Sequence, residues 1–395
     1  MTVRRVEIQQ MIQNGMMTRK FHAVGHGAFY TERLVCGGQE NNIVYDCGCF
    51  ETAKTGFSPS CFKLKINKAI DKEFAPGTEI TALFISHFHT DHINGVEHLL
   101  ERCKVKKIFI PKLSLSILVE SIISYNELDK DSKPTLIDSL IQSKGKNIGD
   151  IPVIQVETDE IKGDAEEQNY NTEDIETIIS YSSGSRIASN NVWFYIPYFN
   201  KSNKDTQLIA ALKNIIKLGK DIYGTAESVK NHVSVNGVGN IKNIYEKVYG
   251  TKHNCYSMTV LSMPAFCAGK CSKNCLKAND MNPRFCTSSC LYMGDYDAGV
   301  TDRMTGLKSY YENLKLWNYI GVIQVPHHGS ENNYNDELYT PSKLCVISAG
   351  ETDVYKHPDE SVLEKLQNRG SIPLLVTDND KTEQVFKINI CTDFR

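Results

Sequence analysis

The chain has 395 residues, enough for a large core in one elaborated domain or two smaller ones, and its 44 Lys+Arg against 47 Asp+Glu leave a net charge of -3. Hydrophobic residues at 41% and charged residues at 23% are the balance of an ordinary globular protein and exclude a collagen, a coiled coil or a disordered chain. No apolar stretch approaches the roughly 18–20 residues of a spanning helix and the first residues lack the apolar core of a signal peptide, so a cytoplasmic protein with no membrane partner is expected.

Residues 1–16 read as a polar lead-in with a short helix. Arg19–Cys36 then holds two strand-like runs around Gly25 and Gly27, and Asn42–Asp46 reads as a strand stopped by Cys47-Gly48. A helical pattern over Lys63–Lys72 leads to an apolar strand, Ile80–Ser86, a polar His/Asp loop, a helix over Ile93–Arg102 and a strand over Lys104–Pro111, a β-loop-α-β unit. Leu113–Ser143 has helical spacing and Ile151–Val156 that of a strand; Glu157–Glu176, with nine acids against one lysine, reads as a solvated loop. Asn191–Tyr198 is a further strand, Thr206–Tyr249 is mostly helical, and strands follow at Tyr256–Ser262, Leu291–Met293, Ile320–Val325, Leu344–Ser348, Leu374–Thr377 and Glu383–Ile390. Helices at Met304–Trp317 and Asp359–Arg369 interleave with them. Strands alternating with helices in both halves predict an α/β or α+β fold with helix-covered sheets. The expected organisation is one domain over 17–395 with insertions at about 113–190, helical and acidic, and 264–290, cysteine-rich.

The chemistry-bearing residues begin with Ser86-His-Phe-His-Thr-Asp-His92. His87 and His89 alternate and so project to one side of an extended chain, and Asp91 and His92 follow as the loop enters a helix. Three imidazoles and a carboxylate at the end of a buried strand are the donor set of zinc or manganese. Two later strand ends offer partners: Gly294-Asp295, and Pro326-His-His-Gly-Ser330 with His327 and His328. A cation lowers the pKa of bound water to about 7, and a second one roughly 3.5–4 Å away clamps the leaving oxygen, so hydrolysis by metal-bound hydroxide needs no serine or cysteine nucleophile. Asp91 can hold metal and also align that water or accept its proton.

Thirteen cysteines in a chain of this kind read as thiols or metal ligands before disulfides. Cys267, Cys271, Cys275, Cys286 and Cys290 form twin Cys-x3-Cys patterns, and spacing of four sets thiols on one face of a helical turn, so a structural zinc is the leading reading, with disulfides or unliganded thiols as alternatives.

In these motifs the sequence resembles the metallo-β-lactamase-fold hydrolases, whose signature is His-x-His-x-Asp-His, and more narrowly the metal-dependent domain of competence (DNA-internalisation) proteins of the ComEC/Rec2 type. Val24-Gly-His-Gly27, Val44-Tyr-Asp-Cys-Gly48, Asn254 to Ser257, Gly294-Asp295, Pro326 to Ser330, Ser348-Ala-Gly350, Tyr355-Lys-His-Pro358 and Thr377-Asp378 occur in the family's order. The resemblance implies a four-layer αββα sandwich with two divalent ions at one edge between the sheets. It implies that His87 and His89 bind the first ion, that Asp91 and His92 bind the second, and that Asp295 bridges them. One of His327 and His328 completes the second site; His328 is favoured because Gly329 follows it as in Gly-His-Gly relatives. Asp46 orients the His/Asp loop from behind, and His357 steadies a phosphate oxygen or protonates the leaving group.

The chain departs from the family in lacking a histidine at 112–116, where another ligand usually stands; His98, His232 and His253 are substitutes only by elimination. His26 stands in the glycine-rich opening, where Ala28 replaces the acidic residue usual in the competence proteins after the second glycine. The expected function is a metal-dependent hydrolase, a phosphodiesterase or nuclease acting on DNA or RNA, with Lys104, Lys106, Lys107 and Lys112 as a basic track. The alternatives are a hydrolase of a small molecule (a cyclic nucleotide or other phosphodiester, a phosphorylated headgroup, a lactone or a thioester) and a non-catalytic binding protein.

Overall fold

The computed structural model describes residues 14–49, 59–128, 135–157, 169–171, 180–182, 186–189, 192–200, 204–250, 256–265, 287–340, 343–351 and 356–391. Three antiparallel strands come first, β1 (Asn14–Phe21), β2 (Phe29–Cys36) and β3 (Gln39–Cys47), followed by helix α1 (Pro59–Glu73). The strand expected over 80–86 is two pieces, β4 (Glu79–Ile80) and β5 (Ala82–Phe84), and the helix expected over 93–102 is α2 (Thr90–Ile93) and α3 (Val96–Arg102). They part at Gly95, where a side chain would strike Ile66 and the Cys47 carbonyl. Next come β6 (Lys104–Val105), β7 (Ile108–Pro111), α4 (Leu115–Leu128), α5 (Thr135–Gln142), β8 (Asn147–Ile148), β9 (Ile151–Glu157), β10 (Asn169–Asn171), β11 (Ser180–Ser182), β12 (Arg186–Ser189) and β13 (Trp193–Tyr198). Helices α6 (Asp205–Leu212), α7 (Ile222–Asn236) and α8 (Gly239–Tyr249) precede β14 (Thr259–Pro264) and β15 (Cys290–Tyr292). The chain closes with α9 (Thr301–Asn313), β16 (Val322–Gln324), β17 (Leu344–Ser348), α10 (Glu360–Asn368), β18 (Ile372–Val376) and β19 (Gln384–Cys391).

Two large sheets result. One runs β11-β9-β7-β5-β3-β2-β1-β19 with β8 against β9; the other runs β10-β12-β13-β14-β15-β16-β17-β18. In the second sheet both faces are apolar, and the alternation sorts them. Val260, Tyr292, Val322, Leu344 and Val346 point into the core shared with the first sheet. Their neighbours Leu261, Leu291, Ile323, Cys345 and Ile347 point outward, under Met304, Leu307 and Tyr311 of α9 and Val362 and Leu366 of α10. On the far side, Ile66 and Ile70 of α1 and Val96 and Leu99 of α3 join the core of the first sheet. The layers are therefore αββα.

Three sequence expectations are corrected. The strand β1 begins at Asn14 and pairs with β19 from Asn14 opposite Cys391, so residues 14–16 of the expected lead-in belong to the sheet. The stretch 113–190 is not wholly an insertion, because β9 pairs with β7 as a parallel strand of the first sheet. Cys290, grouped with the cysteine cluster, is fully buried inside β15, where burial pushes its thiol up to about 12; Cys267, Cys271, Cys275 and Cys286 lie outside the described residues. No helix among the described residues is long and apolar enough to cross a membrane.

Polar contacts tie the sheets together through this core. Tyr45 Oη donates to the Met258 carbonyl at 2.7 Å and Tyr30 Oη to Ser348 Oγ at 3.0 Å, with the rings of Tyr30, Tyr45 and Tyr292 stacked. Arg19 Nε meets Glu32 Oε1 at 2.6 Å, both side chains being at most 2% exposed, while its Nη1 donates to the Thr287 carbonyl. Glu32 also accepts from Ser262 Oγ and Tyr292 Oη. Removing one member strands a buried charge, so Arg19→Ala is expected to cost about 3–5 kcal/mol, seen as a lower urea midpoint at unchanged slope.

Candidate metal centre

Every motif picked out at a strand end lies at the carboxyl edge of parallel strands, the edge at which open α/β sheets place their ligands. In the first sheet β3 carries Asp46 one residue before its end and β5 leads to His87–His92; in the second, β15 leads to Asp295 and β16 to His327 and His328. Asp46, fully buried, organises the first group. Its Oδ1 accepts from the Ser86 amide at 2.7 Å, and its Oδ2 accepts from Ser86 Oγ at 2.7 Å and His92 Nδ1 at 2.8 Å. The second group is set by Ser257 and Gln324. Ser257 Oγ accepts from the Asp295 amide, and Gln324 Oε1 accepts from the amides of Met293 and Gly294. Gly294 has φ +53, and a Cβ there would lie 2.5 Å from both Ser86 Oγ and Ser257 Oγ, so this turn requires glycine. Asp46, His327 and His328 take the left-handed region too, at φ 54, 50 and 56, a strain that non-glycine residues tolerate where the surroundings impose it.

The hydrogen bonds decide which ring nitrogens face inward. Ser86 Oγ gives its proton to Asp46 and so accepts from His87 Nδ1 at 2.9 Å; His92 Nδ1 donates to Asp46; His328 Nδ1 donates to the Ser348 carbonyl at 2.8 Å. All three rings are held from behind, with Nε2 turned to a common point. There Asp91, His92, Asp295 and His328 form one group of donors, and His87, His89 and Asp295 a second. Around the first group His92 Nε2 lies 3.1 Å from Asp295 Oδ1 and 3.4 Å from Asp91 Oδ2, and His328 Nε2 lies 3.1 Å from Asp91 Oδ2 and 3.8 Å from Asp295 Oδ1. Donors sharing a tetrahedral ion at about 2.0–2.1 Å stand about 3.3 Å apart, which is this spacing. His87 Nε2 is 3.6 Å from the other oxygen, Asp295 Oδ2. The Nε2 atoms of His87 and His92 are buried without a hydrogen bond, a state that ligation to a cation resolves. The donor set fits two divalent ions sharing Asp295.

Electrostatics agree. Burial disfavours charge on each group, yet Asp91, Asp295 and Asp46 hold the His92 imidazole well above its ordinary value. Against the same burial, His92 and His328 hold Asp91 well below the usual carboxylate range, and His327, His92 and His87 do so for Asp295. His87 goes the other way: burial, then repulsion from His92 and His89, keeps it neutral.

Residues 34–168, which include Asp46 and the whole His87–His92 run, match the family model described as the metallo-beta-lactamase superfamily. The chain carries a metallo-beta-lactamase superfamily domain. Weak homology links it to ComE operon protein 3 of Bacillus subtilis (strain 168), 42% identical over 65 residues, 16% of this chain and 8% of that protein. A second relative is Ribonuclease J of Mycoplasma pneumoniae, 33% identical over 96 residues, 23% of this chain and 15% of that protein. The chain thus spans under a sixth of either curated relative. The crystal structure of unliganded yeast PDE1 aligns over 96% of this chain and 99% of its own, with 10% identity and a TM-score of 0.39.

Two donor groups draw together His87, His89, Asp91, His92, Asp295 and His328. Of the histidine pair, His328 is buried in the donor group, whereas His327 is 29% exposed with Nδ1 3.9 Å from Asp295. His357 stands at the mouth, its ring 6.0 Å from that of His327 and 6.4 Å from that of His26, which packs on His328 at 3.7 Å. The substitutes for the missing histidine do not reach the site: His98 pairs with Asp71, His232 is bonded to Asn236 on α7, and His253 lies outside the described residues. The basic track is divided. Lys104, Lys106 and Lys107 precede β7 at the level of Glu79–Ala82, before β5 runs toward the His/Asp loop, whereas Lys112 follows β7. Ser86, Ser257 and Gln324, which hold Asp46 and the Gly294-Asp295 turn, carry no spacing signal in the sequence. Asp46→Ala is expected to weaken divalent-ion binding about 10–100-fold with the far-UV circular dichroism spectrum retained, measured by titration calorimetry.

Proposed function

We propose that the chain is a metal-dependent phosphodiesterase that cleaves nucleic acid, DNA or RNA, using zinc or manganese. The observation that carries this reading is the division of one carboxylate: Asp295 turns Oδ1 to His92 and His328 and Oδ2 to His87, the arrangement of a bridge between two cations. Imidazole suits zinc and carboxylate oxygen suits manganese, and the centre offers both. The homology to a protein named Ribonuclease J supports a nucleic-acid phosphodiester as substrate. Divalent cations held there supply Lewis acidity for phosphoryl oxygens and bring the acidity of a water ligand near neutral pH.

The protein's residues do the rest. Asp91 Oδ2, 3.1 Å from His328 Nε2, is a carboxylate held in its ionised form at the centre, able to align an attacking water and accept its proton. Asp46 fixes His92 and, through Ser86, His87, so their lone pairs stay aimed as the substrate enters. To His357, 14% exposed with its ring 6.0 Å from that of His327, we assign the proton given to the leaving oxygen. Lys112, just past the end of β7 and paired with Glu157, offers a cation for the substrate backbone.

The test is turnover of single-stranded DNA, duplex DNA, RNA, a cyclic dinucleotide and bis(p-nitrophenyl) phosphate with defined divalent ions, for wild type and Asp91→Ala. Cleavage of a nucleic acid that falls by orders of magnitude in the variant and stops with chelator is expected. Equal rates for the two proteins, or turnover of the cyclic dinucleotide alone, would overturn the reading.

A further inference from the structure

Of the imidazoles in the donor groups, three are held from behind at Nδ1: His87 by Ser86, His92 by Asp46 and His328 by the Ser348 carbonyl. His89 is held differently. Its ring plane is turned 66° from that of His87, with the centroids 4.6 Å apart, and the ring atom that faces a carboxylate is Nε2, 3.4 Å from Glu120 Oε1.

Glu120 stands where an apolar residue would be expected. Leu115-Ser-Ile-Leu-Val-Glu-Ser-Ile-Ile123 of α4 is buried throughout, and its sixth residue, Glu120, is 6% exposed. A carboxylate is almost never buried to that degree without a partner. Tyr245 Oη of α8, itself fully buried, donates to Glu120 Oε2 at 2.9 Å, which leaves Oε1 toward His89. Helix α4 packs against both α8 and α2, and α2 begins at the residue after His89, so carboxylate and ring ride on elements in contact. Glu120 touches His89 yet belongs to neither donor group, as a residue behind the ring should.

An ionised carboxylate only accepts hydrogen bonds, and a neutral imidazole has one nitrogen that donates and one that carries a lone pair. The nitrogen facing Glu120 is therefore the donor, which puts the lone pair of His89 on Nδ1. We infer that Glu120, set in place by Tyr245, is a positioning residue of the centre: it holds His89 as the Nε2–H tautomer, with Nδ1 presented to the ion shared with His87 and Asp295. This role deepens the two-ion reading of the centre and presupposes it. His89 then enters the centre by the opposite nitrogen from His87, His92 and His328, and its support comes from a helix where theirs comes from the sheet edge. A carboxylate behind an imidazole ligand fixes the ring orientation and raises its basicity, so the effect of Glu120 falls on one ion and spares the group of Asp91, His92, Asp295 and His328.

The experiment is NMR of the histidine ring nitrogens in the isotopically labelled full chain loaded with zinc, beside calorimetric zinc titration of wild type, Glu120→Ala and Glu120→Gln after chelator treatment. Loaded wild type is expected to carry its ring proton on Nε2 at His89 and on Nδ1 at His87, His92 and His328. Glu120→Ala is expected to bind one of two ions about 10–100-fold more weakly with the other unchanged. Glu120→Gln, whose carbonyl still accepts from Nε2, is expected to keep the tautomer and recover most of that affinity; a role confined to packing would shift thermal unfolding and leave both readouts where they are. A proton on Nδ1 of His89 in loaded wild type, or two ions at unchanged affinity in Glu120→Ala, would overturn the inference and leave the two-ion centre standing. Fewer than two ions in wild type would overturn both. Should Glu120→Ala fail to fold, the wild-type spectrum decides the matter alone.

Discussion

Three carboxylates, those of Asp46, Asp91 and Asp295, are drawn into one corner of the sandwich where little water reaches, and the arrangement around them follows from the need to compensate their charge. Buried charges are tolerated only when paired and fully hydrogen-bonded. Asp46 meets that condition with three donors from Ser86 and His92. Asp91 and Asp295 meet it with imidazoles on opposite sheets: His92 comes from the first sheet, His328 from the second, and each approaches both carboxylates. The corner is thus held from both layers at once, and a shift of one sheet against the other would break the donor geometry.

The sandwich resists such a shift through the tyrosine core beneath the centre. Tyr30 and Tyr45 stand in the first sheet and bond to Ser348 and Met258 of the other half, and the Met258 amide in turn donates to the Ser86 carbonyl. Ser86 therefore connects three things: the His87 ring, the Asp46 carboxylate and the second half of the chain. Gly294 closes on it from the opposite side, where no side chain would fit. Rigid elements that hold donor atoms to within a fraction of an ångström are what a two-ion hydrolytic centre demands, because misplacement of the reacting groups is costly in rate.

The division of labour between the halves is uneven. The first half supplies the His/Asp run and Asp46, with Glu120 of α4 packed against His89. The second supplies Asp295 and His328, with His327 and His357 partly exposed beside them. The metallo-beta-lactamase superfamily match ends at residue 168, before any of that second set, so the later part of the centre is known here through geometry.

Strand and helix identities were legible in the sequence because they rest on local periodicity. Ile108–Pro111, Leu344–Ser348 and Glu360–Asn368 fall where apolar spacing sets them, and the His87–His92 run announces a cation because four donors in six residues have no cheaper explanation. Local pattern also misleads where partners are remote: Asn14–Met16 reads as lead-in until Ile390 and Cys391 pair with it, and Cys290 reads as part of a cysteine cluster until the strands beside β15 bury it. Only the tertiary structure set Lys104, Lys106 and Lys107 at the level of Glu79–Ala82 and brought Glu120 to His89. The reason is physical: which residues can form a strand, or bind a cation, is a property of their own chemistry and spacing, whereas which donors share one point depends on the stacking of two sheets whose contacting residues lie hundreds of positions apart in the chain.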